Sequence, residues 1–172
     1  VVDQLGIPHR TIDISGAVDG YLQAHEPDAD PSRRGNVMAR ERMIVLFDQS
    51  AKLRALSLGT GNKTERLFGY FTWHADVSPP INPIGDLYKT QVRQLSQAVG
   101  VPDTILKKAP SADLWSGQTD EGELGYTYAE VDQLLYLLVD QRYTPDECVE
   151  AGFAANFVKA VVDRVRRNHF KR

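Results

Sequence analysis

Apolar residues recur at helical spacing along most of this chain. In the first half, short apolar runs lie between these helical patterns. The longest apolar stripe predicts a helix over residues 36–53 and consists of Ala39, Met43, Phe47 and Ala51, with Val37 and Ile44 beside it. Runs at residues 10–14 and 55–58 are typical of strands, and Ser15 is a candidate cap for a helix that ends before the polar loop at 26–35. This alternation predicts an α/β fold with a parallel sheet covered by helices on both faces.

The second half of the chain has helical patterns without strands between them. A short helix is predicted at 66–71, and the next one ends at Gly100 with an apolar face of Tyr88, Val92, Leu95 and Val99. After a long polar loop at 109–125, the sequences at 127–130 and 144–147 match the capping box and begin two more helices. A last helix carries Phe157, Val158, Val161, Val162 and Val165 and leads into a basic tail. Because no strand separates them, we expect these later helices to form a C-terminal helical cap.

The composition is that of an ordinary globular protein and excludes several functional classes. The chain has 172 residues, 42% of them hydrophobic, and a formal net charge of −3. This length favours a single domain over residues 1–172, and the mild acidity argues against nucleic-acid binding. The single cysteine, Cys148, cannot form an intramolecular disulfide, and we expect it to be buried or inert. No apolar stretch is long enough for a membrane span, so a cytoplasmic protein is expected.

A glycine-rich turn follows the apolar run at 55–58. It has the sequence GTGNKTE at 59–65, and glycines at the end of a strand let backbone amides approach an anionic ligand closely. The same pattern occurs in many ordinary turns, so it does not identify a phosphate site by itself. Three further blocks follow it, with the sequences NPIGDLYKT at 82–90, KAPS at 108–111 and GQTDE at 117–121.

In this order and spacing, the blocks resemble those of ammonia-dependent NAD synthetases, a family within the N-type ATP pyrophosphatases. The resemblance extends from about Leu5 to the last residue. It implies a Rossmann-like fold of the adenine nucleotide alpha hydrolase-like type. It also implies a homodimer that uses ATP as a substrate and Mg²⁺ as a cofactor to convert deamido-NAD and ammonia into NAD. In this reaction, ATP adenylates the carboxylate with release of pyrophosphate, and ammonia then displaces AMP.

The resemblance also implies roles for six residues. The residues that would contact ATP are Thr60, Lys89 and Ser111. Glu65 would bind magnesium, and Arg40 and His169 would contact deamido-NAD. Each has an alternative structural interpretation, because such residues also occur as turn or cap hydroxyls and as solvated charges on helix surfaces. The assignments therefore depend on the surrounding motifs.

The chain departs from the family pattern in three places. Trp73 and Pro80 stand where the family has a lysine and an aspartate, so these two contacts with deamido-NAD are not transferred. Trp73 is expected either to stack on a nucleotide ring or to pack in a core or interface. Phe170 follows His169 where the family has a lysine. The serine- and glycine-rich loop SGGxDS is absent, so no catalytic residue is assigned, and we expect the N-terminal βαβ portion and a C-terminal extension to be missing from this sequence.

These observations leave three functional hypotheses. The first is an amide-forming ligase whose complete form makes NAD, and the second is a noncatalytic nucleotide-binding or dimerisation remnant of the same fold. The third is the synthetase domain of a glutamine-dependent enzyme, which would need an amidohydrolase domain upstream. Under the first hypothesis, the helix at 36–53 is expected in the dimer interface, and the 172 residues alone are expected to show no NAD synthesis.

Overall fold

The structure is a computed structural model that describes residues 2–115 and 117–171. Helices dominate these residues: α1 (Ser15–His25), α2 (Pro31–Leu53), α3 (Lys63–Phe68), α4 (Lys89–Ala98), α5 (Asp103–Leu106), α6 (Asp120–Leu124), α7 (Tyr128–Leu135), α8 (Pro145–Glu150) and α9 (Ala155–Arg167). A π-helical turn (Tyr136–Asp140) continues α7, and a 3-10 turn (His169–Lys171) follows α9. Within the described ranges, no helix combines the length and apolar character needed to cross a bilayer.

The main hydrophobic core lies in the second half of the chain, where α7 is surrounded by other helices. Val131, Leu134 and Leu135 of α7 are at most 1% exposed. The core residues come from α3, α6, α7, α8 and α9 and from the residue before α4: Leu67, Phe68, Tyr88, Leu124, Tyr128, Val131, Leu134, Leu135, Cys148, Val158 and Val161. This arrangement confirms the predicted clustering of the later helices and the burial of Cys148.

Local side-chain bonds determine where α7 and α8 begin. The side chain of Thr127 accepts a hydrogen bond from the Glu130 N–H group, and the Glu130 carboxylate accepts one from the Thr127 N–H group. Thr144 and Glu147 form the same reciprocal pair at the start of α8. Both predicted capping boxes are thus confirmed, since each threonine and its glutamate satisfy N–H groups that a helix leaves unpaired at its start.

The second helix is longer and less buried than its sequence pattern predicts. Asp30 caps it by accepting a hydrogen bond from Arg33 N–H, and Pro31 occupies its first turn, so α2 begins at Pro31 rather than at residue 36. Within the predicted stripe Ala39 is 6% exposed, whereas Phe47 is 41% exposed. Helix α1 packs against α2. Several large apolar residues of α2 nevertheless remain exposed. They are Ile44, Leu46, Phe47 and Leu53. Ile44 and Phe47 are three positions apart and share one side of the helix, and we call this pair the exposed α2 face.

The described residues contain no β-strand, but one isolated parallel β-bridge joins Leu58 to Ile81. Beside it, the Gly59 N–H group donates to the Ile81 carbonyl over 2.7 Å. Residues 10–14 and 55–57 have no regular secondary structure, so neither predicted strand, nor the predicted parallel sheet, is formed within these ranges. A strand is stabilised by ladder hydrogen bonds to a neighbouring strand, and here the bridge at Leu58 supplies the one such contact.

Three smaller predictions are wrong. Helix α3 begins at Lys63 rather than at residue 66, because the Asn62 side chain caps it. Helix α6 interrupts the stretch at 109–125 that was predicted as a continuous loop, and Thr119 caps it. Ser15 is the first residue of α1 rather than its side-chain cap, and its own N–H group donates to the Asp13 carboxylate. Side-chain caps fix the starts of α3 and α6, whereas α1 begins after Ile14 without one, and apolar periodicity does not define such boundaries.

Candidate active site

A cavity of about 620 Å³ is lined by residues of α2, the glycine turn, α3 and the loop after it, the start of α4, α6 and the loop before it, and the end of α9 with the turn that follows. Thr60, Glu65, Lys89 and Ser111 all line it. The structure therefore brings together four of the six predicted site residues, the three for ATP and the one for magnesium. Its volume lies within the range of small-molecule sites.

The Lys89 ammonium and the Glu65 carboxylate form an ion pair on the wall of this cavity. Lys89 Nζ lies 2.7 Å from Glu65 Oε1 and 3.9 Å from Oδ2 of Asp120. Glu65 Oε2 also accepts a hydrogen bond of 3.0 Å from the Asn62 N–H group, because the two residues form the capping box of α3. The Glu65 carboxylate is therefore held in place by the start of its own helix and by a cation on the next one.

Asp132 of α7 fixes the backbone from which Lys89 extends. Asp132 is 4% exposed. Its Oδ2 accepts the Thr90 N–H over 2.8 Å, and its Oδ1 accepts the Thr64 hydroxyl over 2.6 Å. The Thr64 oxygen in turn accepts the Lys89 N–H over 3.0 Å. Two N–H groups at the start of α4 thus have side-chain acceptors supplied by other helices, which fixes α4 relative to α3 and α7.

Asp120 is a buried carboxylate beside the ion pair, to which the sequence pattern assigned no role. It is 3% exposed, and its two oxygens accept hydrogen bonds from the Tyr70 and Tyr128 hydroxyls, over 3.2 and 2.9 Å. Burial, together with the negative charge of Asp120, raises the pKa of both tyrosines, so their hydroxyls remain protonated donors. The GQTDE block was the available sequence signal. The position of Asp120 near Lys89 depends on how α6 packs on α7.

Asn82 explains structurally why the NPIG block accompanies the glycine turn. Its side-chain NH₂ group donates to the Gly61 carbonyl over 2.8 Å. A Cβ atom at Gly59 would lie 3.3 Å from Asn82 Cγ, and one at Gly85 would lie 3.0 Å from Asn82 Nδ2. A larger residue at either glycine would push Asn82 aside. The glycines thus let Asn82 hold the turn, and with it Thr60, against the segment that precedes α4.

The two residues predicted for the deamido-NAD side are not among the cavity-lining residues described. Arg40 is exposed on α2, and its Nε donates to the Trp73 carbonyl over 3.2 Å. His169 is exposed in the 3-10 turn, and Pro80 is exposed as well. Trp73 is 44% exposed and stacks on His74, with the ring centroids 4.5 Å apart. Trp73 therefore lies at the surface of the chain rather than in its core.

Two cations of the basic tail line the cavity although the sequence pattern gave them no role: Arg164 of α9 and Lys171 of the 3-10 turn. Lys171 Nζ donates to the carbonyls of Gly69 and Phe71, over 2.9 and 3.2 Å. Burial lowers the pKa of both cations. The tail was visible as a basic run, but the packing of the end of α9 decides which of its cations face the cavity.

Glu65 can hold a magnesium ion only together with other ligands. Within the described ranges, no group of three or more His, Cys, Asp or Glu side chains is placed to hold a metal ion. Magnesium in nucleotide sites is commonly held by one or two carboxylates together with phosphate oxygens and water. Each Glu65 oxygen accepts one hydrogen bond and has a further lone pair. The residue thus fits Mg²⁺ that arrives with a nucleotide, rather than a preformed protein cage.

Comparisons with known proteins agree on one family. The family model for NAD synthase matches residues 1–172. The NH(3)-dependent NAD(+) synthetase of Trichlorobacter lovleyi is 55% identical over 172 residues, which are 100% of this chain and 63% of that protein. The protein of the same name from Chlorobaculum parvum is 49% identical, over 100% of this chain and 62% of that protein. The chain thus spans less than two thirds of the length of these curated relatives.

Solved structures agree with the sequence comparisons. An NMN synthetase from Francisella tularensis has a TM-score of 0.83 and 34% identity, over 99% of this chain and 66% of that chain. An NH3-dependent NAD synthetase from Campylobacter jejuni, solved with a nitrate ion, has a TM-score of 0.79 and 26% identity, over 99% of this chain and 65% of that chain. These likenesses confirm the expected adenine nucleotide alpha hydrolase-like fold. The chain belongs to the NAD synthase family.

Proposed function

We propose that this chain forms the nucleotide site of an ATP-dependent amide ligase that converts deamido-NAD and ammonia into NAD. The observation that carries this proposal is the cavity shared by Thr60, Glu65, Lys89 and Ser111, in a chain that belongs to the NAD synthase family. A noncatalytic remnant of the fold is the alternative. The Glu65–Lys89 ion pair favours the catalytic proposal, as does the hydrogen bond by which Asp132 fixes the backbone next to Lys89.

The chemistry requires activation, because a carboxylate is a poor electrophile. One carboxylate oxygen attacks the α-phosphorus of ATP, pyrophosphate leaves, and an acyl adenylate forms. Ammonia then attacks the acyl carbon, AMP leaves and a proton is released. Negative charge develops on the leaving pyrophosphate in the first step, where a positioned cation is most effective. Lys89 is that cation, and Thr60 and Ser111 add hydroxyl donors from the glycine turn and the loop before α6.

Lys89 can meet phosphate oxygens without leaving Glu65. An ammonium has three donors, and the hydrogen bond to Glu65 Oε1 uses one of them. The other two remain for phosphate oxygens. Bound Mg²⁺ would add positive charge beside the phosphates, with Glu65 as its protein ligand. The capping box that holds Glu65 would keep this carboxylate oriented while the ligands exchange.

We also propose a homodimer, with Arg40 and His169 on the deamido-NAD side at the subunit boundary. Both residues are exposed in the isolated chain, as residues that act across an interface must be before assembly. Arg40, Ile44 and Phe47 lie on the same side of α2, at spacings of four and three residues, so the exposed α2 face adjoins the residue proposed to contact deamido-NAD.

We further propose that residues 1–172 form part of one domain in which residues 10–14, 55–58 and 81 join a parallel sheet with helices on both faces. The exposed apolar side chains of Leu56, Leu58 and Ile81 are the ones that such a sheet would cover. A cytoplasmic location is part of the same proposal, because the substrates are charged nucleotides that do not cross membranes unaided.

Nicotinic acid mononucleotide is a second candidate substrate, since it carries the same reacting carboxylate. The structure named as an NMN synthetase is more similar to this chain than the Campylobacter NAD synthetase is, with 34% against 26% identity. Trp73 and Pro80 also replace the two residues that the family pattern assigns to deamido-NAD. The relatives at 55% and 49% identity are both named NAD synthetases, which keeps NAD formation as the main proposal.

The test supplies ATP, MgCl₂ and ammonium chloride with either deamido-NAD or nicotinic acid mononucleotide. The purified 172-residue chain is compared with any longer form that the encoding sequence specifies, and the amide products are resolved by liquid chromatography and mass spectrometry. We expect a higher kcat/KM for deamido-NAD, which gives NAD, than for nicotinic acid mononucleotide. A parallel reaction with glutamine in place of ammonium tests the glutamine-dependent alternative. Binding of ATP without amide formation by any form would favour the noncatalytic remnant.

A further inference from the structure

Arg164 and Lys89 both line this cavity, but they differ in what neutralises them. Lys89 is paired with Glu65. The Arg164 guanidinium has no carboxylate partner and no hydrogen-bond acceptor among the described residues, and its Nε atom is buried without a partner. It lies over the Phe68 ring, with Cζ 5.3 Å from the ring centroid. The Glu123 carboxylate attracts Arg164, but no ion pair joins them. A half-buried cation without a paired carboxylate is costly, and a bound anion would offset that cost.

Lys171 repeats this pattern beside Arg164. Its Nζ atom donates to two carbonyls, those of Gly69 and Phe71, which leaves one donor free. Burial lowers the pKa of Lys171 most, and the positive charge of Arg164 lowers it further, so the two cations lie close enough to repel each other. The carboxylate of Asp76 attracts Lys171 more weakly, and no ion pair joins them. Two adjacent cations that face a cavity without a carboxylate partner form a site for an anion.

The backbone that carries these cations is held rigidly. Gly69 ends α3 with a φ of 61°, and a Cβ atom there would lie 2.5 Å from Asn168 Cβ. The Asn168 side chain donates to the Arg164 carbonyl over 3.0 Å. The end of α9 is thus packed directly onto the end of α3, in a contact that requires glycine. Arg164 and Lys171 therefore reach the cavity from a fixed frame, which reduces the entropy cost of ligand binding.

We propose that Arg164, beside Lys171, binds the phosphate attached to the nicotinate ribose of the substrate. A guanidinium offers paired N–H donors that match two phosphate oxygens. The ATP phosphates are assigned to Lys89, Thr60 and Ser111, so the pyridine nucleotide is the other substrate that brings a phosphate into the cavity. This inference rests on the proposed function. Deamido-NAD and nicotinic acid mononucleotide both carry this phosphate, so it does not depend on which of them is the substrate.

The test compares nicotinic acid mononucleotide with nicotinic acid riboside, which lacks the phosphate. Isothermal titration calorimetry of the wild-type chain should give an affinity at least about tenfold higher for the mononucleotide, as expected for hydrogen bonds to a charged group. Arg164→Gln should remove about tenfold of that affinity and leave binding of the riboside and of ATP unchanged. Arg164→Lys, which keeps the charge without the paired donors, should lie between. The matched control is Arg166→Gln, an exposed residue of the same helix that is not among the cavity-lining residues described.

Several outcomes would overturn the proposal. They are equal affinity of the wild type for the two ligands, no measurable binding of the mononucleotide, or an equal loss in Arg166→Gln. A folded Arg164→Gln variant that loses riboside binding to the same extent would also overturn it. If that variant does not fold, competition decides: inorganic phosphate should displace the mononucleotide but not the riboside from the wild type. These measurements require no catalysis, so failure of the amidation assay would leave their result intact.

Discussion

Lys89 Nζ lies 2.7 Å from Glu65 Oε1 although the two residues are 24 positions apart in the sequence. Glu65 is oriented by the capping box at the start of α3, and Lys89 is the first residue of α4. The starts of two successive helices thus bring an anion and a cation into one cavity. Both residues are therefore direct targets for mutations that test the proposed nucleotide site.

Loss of the Lys89 cation should weaken the handling of ATP. Lys89→Ala removes the charge proposed to meet the leaving pyrophosphate, and we expect about 2–4 kcal/mol less transition-state stabilisation in a form that carries out the proposed reaction. ATP affinity, measured by calorimetry on the 172-residue chain, should fall as well. Lys107→Ala is the control, because that side chain is 77% exposed. If turnover and the ATP concentration for half-saturation are unchanged in Lys89→Ala, Lys89 does not contact the ATP phosphates.

Removal of the Glu65 charge should affect magnesium more than folding. Glu65→Gln retains a side chain that can complete the capping box, so thermal stability should change little. The concentration of Mg²⁺ needed for half-maximal ATP binding should rise about tenfold, since a neutral amide is a weaker ligand for this hard cation. Glu150→Gln, at an exposed position of α8, is the control. If Glu65→Gln has the wild-type Mg²⁺ requirement, Glu65 serves only as a cap and as the partner of Lys89.

Truncation of Asp132 should destabilise the fold. Asp132→Ala leaves the Thr64 hydroxyl and the Thr90 N–H group without their buried acceptor. We expect the free energy of unfolding to fall by about 2–4 kcal/mol, measured by urea denaturation. Asp132→Asn keeps one acceptor oxygen and should lose less. Asp103→Ala removes an exposed carboxylate and should change the free energy by less than about 1 kcal/mol. Equal effects at positions 103 and 132 would contradict the network.

Asp140 should make stability depend on acidic pH. Burial opposes its ionisation, but hydrogen bonds from Lys63 Nζ and the Tyr88 hydroxyl outweigh burial and lower the pKa of Asp140. Because the folded-state pKa lies below the unfolded value of about 3.9, the native state binds fewer protons. The stabilisation is therefore present above about pH 3.9 and is lost as the pH falls through the folded-state pKa.

A pair of variants tests this dependence. Asp140→Asn should lower the free energy of unfolding by about 1 kcal/mol at pH 7, and the difference from wild type should shrink as the pH falls below about 4. Asp86→Asn is the control: Asp86 lies 3.3 Å from the same lysine, but its side chain is 96% exposed, so its effect should be small. A difference for Asp140→Asn that stays constant from pH 7 to pH 3 would exclude its carboxylate as the cause.

The exposed α2 face should mediate the proposed dimer. Phe47→Glu places a charge within this apolar surface, so the protein should remain folded but become monomeric in multi-angle light scattering. Lys52→Glu, at an exposed polar position of the same helix, tests whether added negative charge alone is sufficient. If the folded Phe47→Glu protein still has the mass of a dimer, the exposed α2 face is not the dimer interface.

Features that depend on near neighbours in the chain were predictable from the amino-acid sequence. The capping boxes at Thr127 and Thr144 and the apolar stripe of α9 follow from contacts between residues three or four positions apart, which sequence spacing displays directly. The motif blocks likewise predicted the family. They also identified Thr60, Glu65, Lys89 and Ser111 as candidates, and the structure brings these four into one cavity.

Contacts between groups that are distant in the sequence depend on the packing of the whole chain. The bond between Thr64 and Asp132 spans 68 positions, and the contact of Lys171 with Gly69 spans 102. Such pairs depend on how whole helices pack, and no local periodicity encodes that packing. The same reason accounts for the exposure of Phe47 within an apolar stripe and for the absence of paired strands at 10–14 and 55–57 among the described residues. A helical stripe or a short apolar run shows that a surface can be covered, but burial and strand pairing require a partner that the local sequence does not specify.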